Sequence, residues 1–279
     1  MHPTEDRGFR RHGLTVRDLL DPSVLAATLE VVESLGLSSD HPFYASVAHD
    51  WGAKAASTNV RLLPLVQPAV ERALPGHEVV FAAVTSKGSG DGTDVKFHMD
   101  WTYTDERRIR AVLLWCPLVD AGPGNGGLAV LPGSHRWTRG IRAGRGMTRP
   151  PLTERDQKRI SERSVPIEVR AGQAMVFDPA LLHGSPPNRS ASPRPAVTVL
   201  TVPRGSQLVH FHEDDDGTVR GAEVDTDFFI EHPYGQAPIG YRPLDPWAPV
   251  VGEDDLGAAL RRPRPLQRWR SRRIVDPVG

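Results

Sequence analysis

"EVVFAAVTS" (78–86), "VKFHMDWTY" (95–103) and "RIRAVLLWCPLV" (108–119) are three short runs rich in β-branched and aromatic residues, separated by polar, turn-forming breaks. Five further runs continue the texture: "GGLAVLPG" (126–133), "VPIEV" (165–169), "AMVFD" (174–178), "AVTVLTVP" (196–203) and "QLVHFH" (207–212). Eight short apolar segments at this spacing predict a sandwich or jelly-roll rather than a parallel sheet. The chain therefore reads as mainly β with flanking helices.

Upstream of these runs the periodicity changes. In "TVRDLLDPSVLAATLEVVESLGL", from Thr15, apolar residues recur at helical spacing, and Asp21 and Pro22 stand as N-cap and first-turn proline of a second helix ending at Gly36. "TNVRLLPLVQPAVERALPG" reads as helical segments broken at its prolines. "PLTERDQKRISERS" reads as a charged helical insert between strands. No internal repeat is present, and 279 residues suit one large domain. The expected organisation is a disordered N-terminus (1–13) and a single domain (14–260), followed by an Arg- and Pro-rich tail (261–279). Within the domain we expect a helical part (14–76), a β core (77–212) and a C-terminal extension (213–260).

Composition sets the class. Hydrophobic residues at 39% and charged residues at 24% are those of an ordinary globular protein. A formal net charge of zero provides no whole-molecule field for nucleic acid or an anionic membrane, so neither partner is expected. Seven arginines with Trp269 in residues 261–273 form a local basic segment, read as a solvated tail rather than a nucleic-acid site. The single Cys116, inside an apolar run, excludes an internal disulfide and reads as a small buried hydrophobe. No run approaches about 18 apolar residues and the first residues lack an apolar stretch, so a cytoplasmic location is expected. The assembly is expected to be a monomer or homodimer.

The chemistry is carried by "KFHMDWTYTDE" (96–106). On an extended strand, residues i and i+2 share a face, so His98 and Asp100 can converge on one atom. A facial triad for a non-haem iron needs two histidines and one carboxylate, leaving positions open for substrate and O₂. His183, in the Gly- and Pro-rich turn after "AMVFD", is the candidate third ligand, and Arg194 eleven residues on can grip a carboxylate in bidentate fashion. His210 and His212 in "HFHEDDDG" form a rival metal pair, although an acidic tip of this kind is more often a solvated turn. Phe97, Trp101, Thr102 and Tyr103 around the motif line a substrate pocket or belong to the core.

"HMD" at 98–100, "NGGLAVLPGSHRW" at 125–137 and "HGSPPNRS" followed by Arg194 together resemble the phytanoyl-CoA dioxygenase (PhyH) family of Fe(II)- and 2-oxoglutarate-dependent oxygenases, over about residues 85–202. The resemblance implies a double-stranded β-helix, a cupin-like jelly-roll. It implies His98, Asp100 and His183 as iron ligands and Arg194 as anchor of the distal carboxylate of 2-oxoglutarate. Ser185, Trp115 and Lys87 match positions beside that cosubstrate in relatives, and the histidine matching His135 is structural there.

The function so implied is a dioxygenase using Fe(II), 2-oxoglutarate and O₂ to hydroxylate an unactivated C–H bond of a small molecule. Relatives that halogenate carry a small residue in place of the carboxylate ligand, so Asp100 favours hydroxylation, with desaturation, epoxidation and cyclisation open. Only four of the 34 basic residues are lysine, the bias of a GC-rich coding sequence, and a bacterial natural-product intermediate is the expected substrate. The competing expectations are a non-catalytic ligand-binding β-helix module and a cupin-like metalloenzyme using "HFH".

Overall fold

The computed structural model describes residues 6–36, 42–50, 52–143, 152–232 and 237–261, and the expectation for the arginine-rich tail and Trp269 lies outside these residues. Its centre is a six-stranded antiparallel sheet built from β1 (Leu14–Asp18), β8 (Gln173–Phe177), β5 (Val112–Pro117), β10 (Arg194–Pro203), β3 (His77–Lys87) and β2 (Phe43–Ala45), adjacent in that order. A four-stranded antiparallel sheet, β4 (Val95–His98), β9 (His183–Ser185), β6 (Ala129–Val130) and β7 (Val165–Pro166), faces it. This is the jelly-roll expected from the strand pattern. The C-terminal part adds a three-stranded sheet of β11 (Leu208–Glu213), β12 (Val219–Val224) and β13 (Arg242–Leu244), with α6 (Thr226–Glu231) and α7 (Glu253–Arg261).

Alternation along each central strand divides two cores. Leu113 and Trp115 of β5, Met175 and Phe177 of β8, and Ala196 and Leu200 of β10 point between the sheets. Their neighbours Val112, Leu114, Cys116, Ala174, Val176, Val197 and Val199 face the other way. They pack beneath α2 (Pro22–Ser34) and α4 (Ala53–Ala73) through Val32, Leu62, Val66 and Val70. Because both faces are covered, the strands read as continuous apolar runs. Cys116 sits there at 1% exposure, and burial pushes its thiol up to about 12, which leaves it an inert hydrophobe.

The helical layer also protects a sheet edge. Beyond β2, the outer edge of β3 is met by side chains: Gln67, Asn59 and Ser46 accept from the backbone N–H groups of Val79 (3.0 Å), Ala82 (2.8 Å) and Val84 (3.1 Å). Donors that would template another strand are thereby satisfied.

Six expectations are corrected. Residues 7–12 are not disordered but form α1 (Arg7–His12), capped by Asp6 and anchored by buried Phe9; the dense charges around that one anchor had hidden it. Thr15 begins no helix, because residues 14–18 pair with β8 as an edge strand and Leu14, Thr15 and Val16 are buried. The part expected to be helical therefore supplies both edge strands, β1 and β2, of the sheet. Pro64 and Pro68 do not break α4, which runs unbroken for 21 residues. Both lie on its exposed face, four residues apart, where water can take the carbonyls that lose their N–H partners. Finally, "VKFHMDWTY" leaves the strand after His98, and His183 stands on β9 rather than in a turn. The Asp21 cap on α2, by contrast, is as expected, accepting from Ser23 and Val24.

Leu114 is fully buried between sheet and helices. Leu114→Ala is expected to lower stability by about 2–5 kcal/mol through lost transfer energy and a residual cavity. The shift of the urea midpoint at constant m-value measures it.

Candidate metal and cosubstrate site

Pairing of β4 with β9 sets His98 directly opposite His183, with ring centroids 4.3 Å apart. Asp100 closes the group from just beyond β4. Its carboxylate oxygens lie 4.0 Å from His98 Nε2 and 3.7 Å from His183 Nε2. One potential ligand atom from each of the three falls within 4.8 Å of the others, and no other group of three such residues meets that test among the described residues.

Backbone carbonyls fix both rings. His98 Nδ1 lies 2.8 Å from Lys96 O and His183 Nδ1 lies 2.9 Å from Leu181 O, so each Nδ1–H donates outward and each Nε2 lone pair turns inward. Burial, reinforced by the neighbouring His183, lowers the His98 pKa to about 4 and holds the ring in the neutral form a metal requires. Asp100 Oδ2 is buried without a hydrogen-bond partner. An orphaned carboxylate oxygen between two inward imidazole lone pairs fits a divalent cation of the non-haem iron type.

A second constraint holds Asp100 from behind. Its N–H donates to Pro179 O (2.8 Å) and its carbonyl accepts from Arg142 Nε (2.7 Å). Arg142 is itself buried, donates to Trp101 O (3.3 Å) and forms a bidentate pair with Glu106. Nothing in the sequence pattern had singled out Arg142 or Glu106. They are an isolated arginine and an isolated glutamate 36 residues apart, and only the fold makes them partners.

The floor of the same cavity is cationic. Arg194 and Lys87 are direct cross-strand partners on β10 and β3, with exposures of 2% and 0%. The Arg194 guanidinium lies 4.8 Å over the Trp115 ring, and its Nε and Nη1 are buried without hydrogen-bond partners. Lys87 Nζ donates to Ser185 Oγ (2.5 Å) and Pro186 O (2.8 Å). Burial lowers Arg194 to about 10, and burial plus the adjacent Arg194 charge lowers Lys87 to about 7. The unused donors of Arg194, backed by a Lys87 amine already held by Ser185 and Pro186, fit a carboxylate. Gly126, at φ +71, is where the Lys87 stem crosses the glycine-rich turn: a Cβ there would lie 2.5 Å from Lys87 Cδ.

His98, Asp100, His183, Ser185, Arg194 and Trp115 line one cavity of about 120 Å³, walled by Phe43, Val47, Phe81, Leu113 and Phe177. Of the four flanking residues, Tyr103 lines it, while Trp101 is buried in the core beside His210. Phe97 alternates with His98 onto the opposite face and packs on an outer cluster. Thr102 is turned away, its Oγ1 accepting from Arg142 N (3.0 Å). Phe97 and Thr102 therefore do not line this cavity. Thr198 could have been counted from Arg194 at period two, but Phe43 and Val47 come from a remote segment and left no signal.

The other histidines are placed elsewhere. His210 and His212 stack at 6.4 Å on β11, and His212 Nε2 pairs with Asp214 Oδ1 (2.9 Å) with no third ligand gathered. The acidic tip is an exposed hairpin turn. His135 packs its ring against Gly13, where a Cβ would lie 2.5 Å from Nδ1.

Two measurements follow from this geometry. Glu106→Ala strands Arg142 as an unpaired buried charge and is expected to cost about 3–5 kcal/mol, read by chemical denaturation. With the folded Lys87 pKa near 7 and its ordinary value 10.5, the unfolded chain binds more protons between these limits. Stability of the ligand-free protein should therefore gain a component that rises with pH from about 7 to 10.5. That component should be missing in Lys87→Met, as shown by the difference between the two stability–pH curves.

A sequence model of the phytanoyl-CoA dioxygenase (PhyH) family matches residues 9–196, well over half of the chain. A curated relative, a phytanoyl-CoA dioxygenase domain-containing protein 1 homolog from Dictyostelium discoideum, is 30% identical over 157 residues. That match takes in 53% of this chain, and the chain spans about half, 49%, of the relative's length. Among solved structures, the epimerase SnoN in complex with Fe3+, α-ketoglutarate and nogalamycin RO shares the fold with a TM-score of 0.55 at 19% identity, covering 88% of this chain and 94% of that one. EvdO2 from Micromonospora carbonacea var. aurantiaca, complexed with 2-oxoglutarate, gives 0.52 at 18% identity over 70% and 88%. With the matched segment running from α1 through the triad to the start of β10, the chain belongs to the phytanoyl-CoA dioxygenase (PhyH) family.

Proposed function

We propose that the protein is an Fe(II)- and 2-oxoglutarate-dependent dioxygenase that hydroxylates an unactivated C–H bond of a small molecule. The observation that carries this reading is one cavity holding both halves of the required site: the triad His98, Asp100 and His183, and the buried, unpaired donors of Arg194. Bound together there, Fe(II), 2-oxoglutarate and O₂ supply oxidative decarboxylation to succinate and CO₂ and the oxidising power for the C–H bond.

The residues divide the remaining work. His98 and His183 present neutral Nε2 donors, and Asp100 supplies the anionic donor, its backbone locked by Arg142 and Pro179. Arg194 grips the far carboxylate of 2-oxoglutarate, with Trp115 fixing the guanidinium plane. Lys87 and Ser185 stand beside that carboxylate, and a dianion arriving there favours the protonated form of Lys87. Phe43, Val47, Phe81, Leu113 and Phe177 keep the cavity dry. Retention of Asp100 supports hydroxylation over halogenation. The substrate class we propose is a natural-product intermediate, supported by a fold shared with SnoN of nogalamycin biosynthesis. Desaturation, epoxidation and cyclisation use the same site and differ in the mass of the product.

The test uses anaerobic protein with Fe(II) and 2-oxoglutarate. One iron per chain and a weak visible charge-transfer band are expected; His98→Ala and Asp100→Ala lose both, while His210→Ala keeps them. Arg194→Ala is expected to keep iron and to weaken 2-oxoglutarate by about 2–5 kcal/mol, the cost of removing one partner of a desolvated charge pair. Iron retained in both triad variants, or an unchanged cosubstrate affinity without Arg194, overturns the assignment.

A further inference from the structure

The loop that follows β4 borders two cavities. Asp100 and Tyr103 line the one just described, whereas Thr102, Glu106, Arg107 and Arg110 line another of about 290 Å³, completed by Arg139 and Trp247. The two cavities have no lining residue in common.

The second cavity is cationic, and its acids are already engaged. Glu106, the one carboxylate in its wall, is bound in bidentate fashion by buried Arg142. Arg107 is held by two contacts of 2.8 Å to Asp105, and its guanidinium lies 5.1 Å over the Trp247 ring. Arg110 reaches buried Asp178 with Nη1 at 2.7 Å. Arg139 is exposed and has no carboxylate partner among the described residues.

Three guanidiniums therefore converge on a concave space in a chain whose overall charge is zero. Two of them are fixed before any ligand arrives, by an aspartate and an indole in one case and by a buried aspartate in the other. Such pre-positioning lowers the ordering cost of binding, and planar guanidinium forks suit oxyanions.

We propose that this cavity binds an oxyanion, the phosphate or carboxylate group of a small molecule, at a site separate from the triad cavity. The proposal does not rest on iron or 2-oxoglutarate binding. Arg139 and the free edge of Arg110 supply the donors, with Arg107 closing the wall beside Trp247.

Calorimetric titration of the full chain, without added metal, tests it. Inorganic phosphate is added in one arm and acetate in the other, at constant ionic strength with chloride as the balancing anion. Saturable binding is expected in at least one arm, and the stronger arm identifies the oxyanion class. Arg139→Gln and Arg107→Gln each change an exposed residue and are expected to weaken binding tenfold or more with unchanged melting in chloride. Arg61→Gln, on the exposed face of α4, should leave it unaltered. No saturable binding in either arm, or binding that survives both cavity variants and disappears in Arg194→Ala, overturns the proposal. Loss of the iron site through His98→Ala leaves this titration unchanged, so the two assignments fail independently.

Discussion

Both faces of the six-stranded sheet are covered, and that constraint governs everything else in the molecule. Where helices lie on one side and a second sheet on the other, a slip of one residue would exchange the two cores. The alternation in β5, β8 and β10 is therefore fixed by packing before chemistry enters. Arg194, Lys87 and Trp115 inherit their direction from it: each falls at the parity that faces between the sheets. The cationic floor is in this sense a by-product of a register held by leucine and valine.

The opposite wall is built differently. β4 and β9 are short, and of the triad their pairing supplies the two histidines but not the carboxylate. Asp100 lies beyond the strand, and its position depends on a hydrogen bond donated to the Pro179 carbonyl and one accepted from Arg142 rather than on a ladder. A buried arginine would be costly there if unpaired, so Glu106 is needed for the loop to hold Asp100 at all. The carboxylate is thus held by a network with several members, and the imidazoles by two carbonyls each one step from the ring.

Charge is distributed with similar economy of means. The chain is neutral overall, yet cations are gathered at two places: Arg194 and Lys87 beneath the triad, and the arginines on the other side of the Asp100 loop, whose neighbouring acids are already paired. Arg142 lies between them, touching the Asp100 carbonyl with Nε and Glu106 with its terminal nitrogens. This single side chain connects the backbone of a triad residue to the wall of the second cavity.

The sequence by itself determined the β-rich class, the capped helix at Asp21 and the inert Cys116, because each rests on short-range periodicity or capping chemistry, while its resemblance to the family singled out His98, Asp100, His183 and Arg194, which the fold brings to one cavity. Tertiary structure alone decided that residues 14–18 form an edge strand, that α4 continues through two prolines, that Phe97 and Thr102 turn away from the cavity while Phe43 and Val47 enter it, and that Arg142 meets Glu106. The physical reason is the same in each case. Strand pairing, solvent access to a helix face and burial of an ion pair are settled by residues far apart along the chain, and no window of neighbouring residues contains that information.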